Sequence, residues 1–303
     1  RGVAPLGLAV PRPEKRAVHF GTKRPEIPAG REGAPPKVPL EQYLPPVKTV
    51  PDALSEWAKR AGNREFLFLP EEKGNALTFS ALDAAVSRTA RALADNGVGA
   101  GSRVSLLLGN SIEMVLLFLG VMRLGAVANP LNILLSANEL APQLEDARPA
   151  LICADAANAE KLEGSDFLPA PLVRATGGAE LELNEMRSAP EVPSADPSPA
   201  GDALLLFTSG STGRPKGTRL THRNLLAGAR FVAEAHRLTP EDRSLVILSL
   251  THINGEVIAF LAPLLSGGSI VLPNRFRTGP FWGWLRNFHC TWFSAVPTIL
   301  SIL

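Results

Sequence analysis

The stretch Leu204-Leu205-Leu206-Phe207-Thr208-Ser209-Gly210-Ser211-Thr212-Gly213-Arg214-Pro215-Lys216-Gly217 holds the densest set of reactive and anion-binding groups in the chain. An apolar run, read as a buried strand, hands over to a loop with three glycines, four hydroxyls and one lysine. Glycine accepts positive φ, so such a loop can turn consecutive backbone N–H groups toward one anion. The hydroxyls of Thr208, Ser209, Ser211 and Thr212 add donors without charge, and Lys216 adds a point charge suited to a phosphate oxygen. Pro215 limits how far the loop can unfold. A donor-rich turn placed directly after a buried strand points to phosphate binding. The plainer alternative is a surface turn rich in small polar residues.

Other glycine loops fit less well. A Walker loop needs Gly-Lys-Ser/Thr where this chain has Pro215-Lys216-Gly217. The hydrolase elbow needs serine where Thr212 stands. Gly97, Gly99 and Gly101 follow a helical pattern rather than a strand, which is wrong for a dinucleotide fingerprint. A second candidate group is His252, Asn254 and Gly255, in Leu248-Ser-Leu-Thr-His-Ile-Asn-Gly255. A lone histidine beside an apolar strand is ordinarily structural, so residue type alone does not decide its role. His222 reads as part of a helix start with Thr221 as N-cap. His289, Cys290, Trp282, Trp284 and Trp292 read as packing residues. No catalytic side chain and no metal ligand is assigned, because the five histidines and two cysteines lack ligand spacing.

The elements around these groups alternate. Thr49 and Pro51 open a helix that Gly62 stops, and Phe66–Leu69 follows as a strand. Ser80-Ala81-Leu82-Asp83 leads into a helix ended by Gly97. Arg103–Leu108 reads as a strand, Ser111 to Gly125 brackets a helix, and Ser136-Ala-Asn-Glu139 is a capping box before strand Ala150–Cys153. Past residue 201 the expected order is strand Ala203–Phe207, the glycine loop, a helix from Thr221, strand Leu245–Leu248, a helix near 255–265, strand Ser269–Leu272, a helix near 279–288, strand Thr291–Phe293 and a segment opened by Pro297. Strands alternating with helices predict an α/β fold with parallel-rich sheets covered by helices. Four prolines between 188 and 201 mark a surface connector, giving a first α/β subdomain over 49–187 and a second over 202–303 that carries the loop.

Composition sets the outer bounds. The chain has 303 residues, 45% hydrophobic and 20% charged, with a net charge of +2. That is enough for a large core, excludes wholesale disorder, and argues against nucleic acid as the main partner. Cys153 and Cys290 form no disulfide framework, which points to a reducing compartment and a cytoplasmic protein. Residues 1–48 are read as a Pro/Arg-rich extended arm; Glu14, Glu26, Glu32 and the lack of serine make a transit peptide the lesser option. Residues 257–274 carry no charge, but Pro263 and Ser266-Gly267-Gly268 split them into helix, turn and strand, so no transmembrane segment is expected.

Thr208-Ser-Gly-Ser-Thr-Gly-Arg-Pro-Lys-Gly217 resembles the phosphate-loop signature of the AMP-forming adenylate synthetases, a superfamily that includes acyl-CoA synthetases, peptide-synthetase adenylation domains and luciferases. Leu220-Thr-His-Arg-Asn224, Leu248-Ser-Leu-Thr-His-Ile-Asn-Gly255, Ala128-Asn-Pro-Leu-Asn132 with Leu135-Ser-Ala-Asn-Glu-Leu140, and Phe293-Ser-Ala-Val-Pro-Thr298 look most like acyl-CoA synthetases. The resemblance covers about residues 49–303 and implies the large N-terminal domain of an adenylate-forming enzyme. It implies that a small-molecule carboxylic acid attacks ATP to give acyl-AMP, that coenzyme A displaces AMP, and that Mg²⁺ accompanies ATP. By the same resemblance Thr208, Ser209, Gly210, Ser211, Thr212, Gly213 and Lys216 hold ATP phosphates, and His252, Asn254 and Gly255 line the acyl pocket. A carboxylate with a pKa of about 4.3 is already ionised, so this first step needs charge stabilisation rather than a general base.

Later motifs of the family are missing: no Tyr-Gly-x-Thr-Glu segment, ribose-binding aspartate or C-terminal catalytic lysine is present. The chain is therefore expected to be the front part of a longer enzyme, truncated before the C-terminal domain and inactive by itself. A non-catalytic nucleotide-binding or assembly module of the same fold is one alternative. A peptide-synthetase-type adenylation domain is another, for which the Thr251–Glu256 region offers only Glu256 as an acid. A homodimer is compatible with all of these.

Overall fold

The computed structural model describes residues 47–71, 76–165, 167–178, 181–184, 197–208 and 215–303. The expected arm over 1–48 lies outside them up to residue 46, and so does residue range 188–196 of the connector.

Local signals set the first elements. Helix α1 (Val50–Ala61) starts at Thr49, whose hydroxyl accepts from the Asp52 N–H while the Asp52 carboxylate accepts from the Thr49 N–H at 2.9 Å. Strand β1 (Glu65–Phe68) and short β2 (Ala76–Thr78) follow. Helix α2 (Phe79–Asp95) is capped by Thr78, two residues before the expected start at Ser80, because the Thr78 hydroxyl is the one that reaches the Ala81 N–H. Then come β3 (Arg103–Leu107), α3 (Ile112–Arg123) capped by Ser111, β4 (Val127–Pro130), α4 (Ala137–Ala147) with its capping box at Ser136, and β5 (Leu151–Ala154). Helix α5 (Ala156–Glu163), β6 (Leu172–Thr176) and β7 (Glu182–Asn184) complete this half.

Strand β8 (Asp202–Thr208) and β9 (Lys216–Thr221) form a hairpin, and α6 (His222–His236) leaves it through a third capping box at Thr221. Strand β10 (Arg243–Leu245) ends earlier than the expected Leu245–Leu248. The helix expected near 255–265 is a π-helical segment, Asn254–Leu261, that runs into α7 (Ala262–Ser266). Strand β11 (Ser269–Val271), α8 (Thr278–Asn287), β12 (Trp292–Phe293) and α9 (Pro297–Ile302) follow.

Two sheets result. The larger has the order β7-β6-β5-β3-β4-β8-β9 and the smaller β12-β10-β11-β1-β2. Both are parallel inside, with antiparallel pairs at β6–β7, β8–β9 and β1–β2. Strands from both sides of residues 188–201 share each sheet: β4 pairs with β8, and β1 pairs with β11. Sheet pairing joins segments on opposite sides of the connector.

Helix α3 is buried at Ile112 and from Met114 to Met122, so its central turns are enclosed by other elements. Phe118 on α3 packs edge-on against Phe260 of the π-helical segment, and Phe260 lies 6.1 Å from Phe66 of β1. Each such fully buried ring or leucine contributes about 1.5–3 kcal/mol. One polar clip ties three helices together: the Arg123 guanidinium meets Asp83 at 2.6 Å and donates to Ser55 and Ser87. No helix of the described residues is long and apolar enough to cross a membrane.

Candidate active site

The hairpin β8–β9 brackets the candidate phosphate loop. Thr208 and Lys216 are directly opposite in its register, so the chain leaves β8 and re-enters β9 at one point. The Thr208 hydroxyl donates to the Lys216 carbonyl at 3.4 Å, and both side chains are exposed. Lys216 has no ion-pair partner among the described residues. Ser209, Gly210, Ser211, Thr212 and Gly213 lie outside the described residues. Gly217 makes a close approach possible: a β-carbon there would meet Leu205 at 3.0 Å and both Asp146 of α4 and Phe207 at 3.3 Å. The hairpin's inner strand is anchored by the buried residues Ala203, Leu204 and Leu205.

His222 is structural, as its place after the Thr221 cap suggests. It is buried, and its Nδ1 accepts from the Val50 N–H at 3.3 Å, fastening α6 to the start of α1. Burial pushes its pKa down to about 4, against the attraction of Asp52, so the imidazole is neutral near pH 7.

The second group follows β10. Asn110, between β3 and α3, spans the turn: its amide donates to the Leu248 carbonyl at 3.1 Å and accepts from the Leu250 N–H at 2.9 Å. Residues Ser249 and Thr251 share a hydroxyl hydrogen bond at 2.8 Å. Gly255 lies so close to this turn that a β-carbon would sit 2.2 Å from the Ser249 carbonyl oxygen. Asn254 accepts from the Ser294 hydroxyl at 2.7 Å, which ties it to the segment before α9. His252 is exposed, and its carbonyl accepts from the Glu256 N–H at 3.1 Å. The structure thus brings His252, Asn254 and Gly255 into one turn. Both candidate groups lie beyond C-terminal ends of sheet strands, where ligands of open α/β sheets bind.

Asn110 was not singled out from sequence, although it sits between a strand and the Ser111 cap. Ser294 was seen only as part of the closing motif. The expected packing roles hold for Trp284, buried, and for Trp292, which stacks on His236 at 5.8 Å. Trp282 instead leaves half its surface exposed while its edge meets Phe281. Among the described residues no three His, Cys, Asp or Glu side chains converge on a metal position. A polar groove of about 360 Å³ runs beside the loop's exit, lined by Arg103, Pro142, Glu145, Asp146, Arg148 and Pro215.

Two parallel-cored sheets share one chain, with a glycine- and hydroxyl-rich segment between the paired strands β8 and β9. Residues 54–303 match the family model described as AMP-binding enzyme, and the chain belongs to that family. It is 38% identical over 245 residues to the sulfoacetate–CoA ligase of Cupriavidus necator, covering 80% of this chain and 48% of that protein. It is 35% identical to an oxalate–CoA ligase of Arabidopsis thaliana, covering 75% of this chain and 46% of that one. The chain therefore spans about half the length of the curated relatives it matches. Its fold is that of the N-terminal domain of FACL13 from Mycobacterium tuberculosis, with a TM-score of 0.74 at 24% identity over 84% of this chain and 64% of that one. Apo MatB from Rhodopseudomonas palustris gives a TM-score of 0.72 at 23% identity, with coverage of 84% and 50%.

Proposed function

We propose that the chain is the ATP- and acid-binding part of an AMP-forming acid–thiol ligase, an acyl-CoA synthetase that makes acyl-AMP from ATP and a carboxylic acid and then a thioester with coenzyme A. The observation that carries this is the hairpin root. Thr208 and Lys216 face each other where the loop begins and ends, and the ammonium of Lys216 is exposed and, among the described residues, not committed to a carboxylate. In this reading Lys216 and the donors of Thr208, Ser209, Gly210, Ser211, Thr212 and Gly213 take up the negative charge of the ATP phosphates. Bringing a carboxylate onto a phosphate is a problem of like charge, and fixed donors answer it without reorganising. His252 and Asn254, held beside Gly255, form a wall of the acid site.

The relatives are named for different acids, so no acid is carried over from them. Mg²⁺ is read as travelling with the phosphates, and no described residue is assigned to it. Work in the cytoplasm, supported by the free thiols of Cys153 and Cys290, and assembly as a homodimer belong to the same proposal. The test is acid-dependent exchange of pyrophosphate into ATP by the full-length protein, followed by thioester formation with coenzyme A. Exchange that requires an acid and yields a thioester supports the proposal. Exchange without a thioester favours a peptide-synthetase-type domain, and absence of exchange with every acid favours a non-catalytic module.

A further inference from the structure

Glu256 stands out among the described residues as a carboxyl with both oxygens buried and neither one partnered. The residue is 1% exposed and sits in the first turn of the π-helical segment, directly after Asn254 and Gly255. Its neighbours on that segment are accounted for. Asn254 is held by Ser294, Gly255 lies on the Ser249 backbone, Val257 approaches Gly228 of α6, and Phe260 packs between Phe66 and Phe118. A leucine or methionine at 256 would fill this apolar setting without leaving a donor and an acceptor unmatched. Wide i→i+5 helices are rare and concentrate at functional sites, and this one carries the acid-wall residues at its start.

We propose that Glu256 is a specificity-determining residue of the acid site, its carboxyl pairing with an uncharged hydrogen-bonding group, a hydroxyl or an amide, on the acid's own chain. This rests on the acyl-CoA synthetase reading. Burial holds the Glu256 carboxyl well above the usual carboxylate range, so it presents one O–H donor and one carbonyl acceptor. A hydroxyl or amide can satisfy both. An alkyl chain satisfies neither, an ammonium can only donate to the carbonyl oxygen, and a carboxylate can only accept the O–H.

The experiment compares kcat/KM for acid-dependent exchange with butyrate, 3-hydroxybutyrate, succinamate, succinate and 4-aminobutyrate. It uses the full-length protein, its Glu256→Gln variant and its Glu256→Leu variant. The unaltered protein should favour 3-hydroxybutyrate or succinamate over butyrate by about tenfold or more, as sites built to bind a polar group do. Glu256→Leu should erase that ratio, Glu256→Gln should keep part of it, and Glu256→Leu should raise Tm without ligand because the unmatched carboxyl is gone. An unchanged ratio in Glu256→Leu, a lower Tm, or a preference for succinate or 4-aminobutyrate overturns the role of Glu256 alone. Absence of exchange by the full-length protein with every acid tried, these five and a wider set, defeats the acyl-CoA synthetase reading, and this inference with it.

Discussion

Replacing glycine with alanine should have opposite signs at two helical positions. At Gly255 the new methyl would stand 2.2 Å from the Ser249 oxygen, 2.8 Å from the Ser249 carbonyl carbon and 3.2 Å from the Leu248 oxygen. All three are backbone atoms, and Asn110 holds that turn with two hydrogen bonds. The turn can yield only by straining or releasing those bonds. Overpacking costs about 1–3 kcal/mol, and each hydrogen bond lost about 1 kcal/mol, so Gly255→Ala should cost about 2–4 kcal/mol. At about 2 °C per kcal/mol for a body of this size, Tm should fall by about 4–8 °C. At Gly283, inside α8, a β-carbon meets nothing within 4 Å. Removing backbone freedom from the unfolded chain there should add about 0.5–1 kcal/mol of stability. Thermal unfolding followed by circular dichroism of both variants decides the matter. A Gly255→Ala protein as stable as the parent would refute the described packing of the π-helical segment on Ser249.

Three further outcomes are expected. His222 has its pKa pushed from 6.5 down to about 4, so its neutral form favours the folded chain. That stability is present above pH 6.5 and lost as pH falls toward 4, amounting to up to about 3 kcal/mol, and His222→Asn should flatten the slope of Tm between those pH values. Arg123→Met should cost about 1–3 kcal/mol in urea unfolding, between the values for exposed and buried pairs, and its effect should not add to that of Asp83→Asn. Burial pushes the Cys290 thiol up to about 12 and raises Cys153 as well, so both should react with a thiol reagent far more slowly in the native chain than in denaturant. Rapid native labelling of either would contradict their placement.

What could be read from sequence was local. The caps at Thr49, Ser111, Ser136 and Thr221 and the positive-φ stops at Gly97 and Gly125 depend on residues within a few positions of each other, and all appear where expected. Pairing of β1 with β11 joins Leu67 to Ile270, and no local pattern encodes it. Strand β9 was hidden because Lys216, Gly217, Thr218 and Arg219 are exposed on an edge and lack the apolar alternation that marks a half-buried strand. The π register of Asn254–Leu261 was read as an ordinary helix, since an apolar run does not distinguish the two. The loop and the His252 turn were recognisable as motifs, whereas Asn110 and Ser294 join the candidate site only through contacts between distant segments.

Titration calorimetry of ATP with Mg²⁺ into the chain and into Lys216→Ala tests the proposed phosphate-binding role of the hairpin most directly. Losing a charge-assisted contact to phosphate is worth about 1.5–3 kcal/mol, so the variant should bind about 10–100-fold more weakly than the parent. Equal affinities in the two proteins would contradict the hairpin's assignment as the phosphate site.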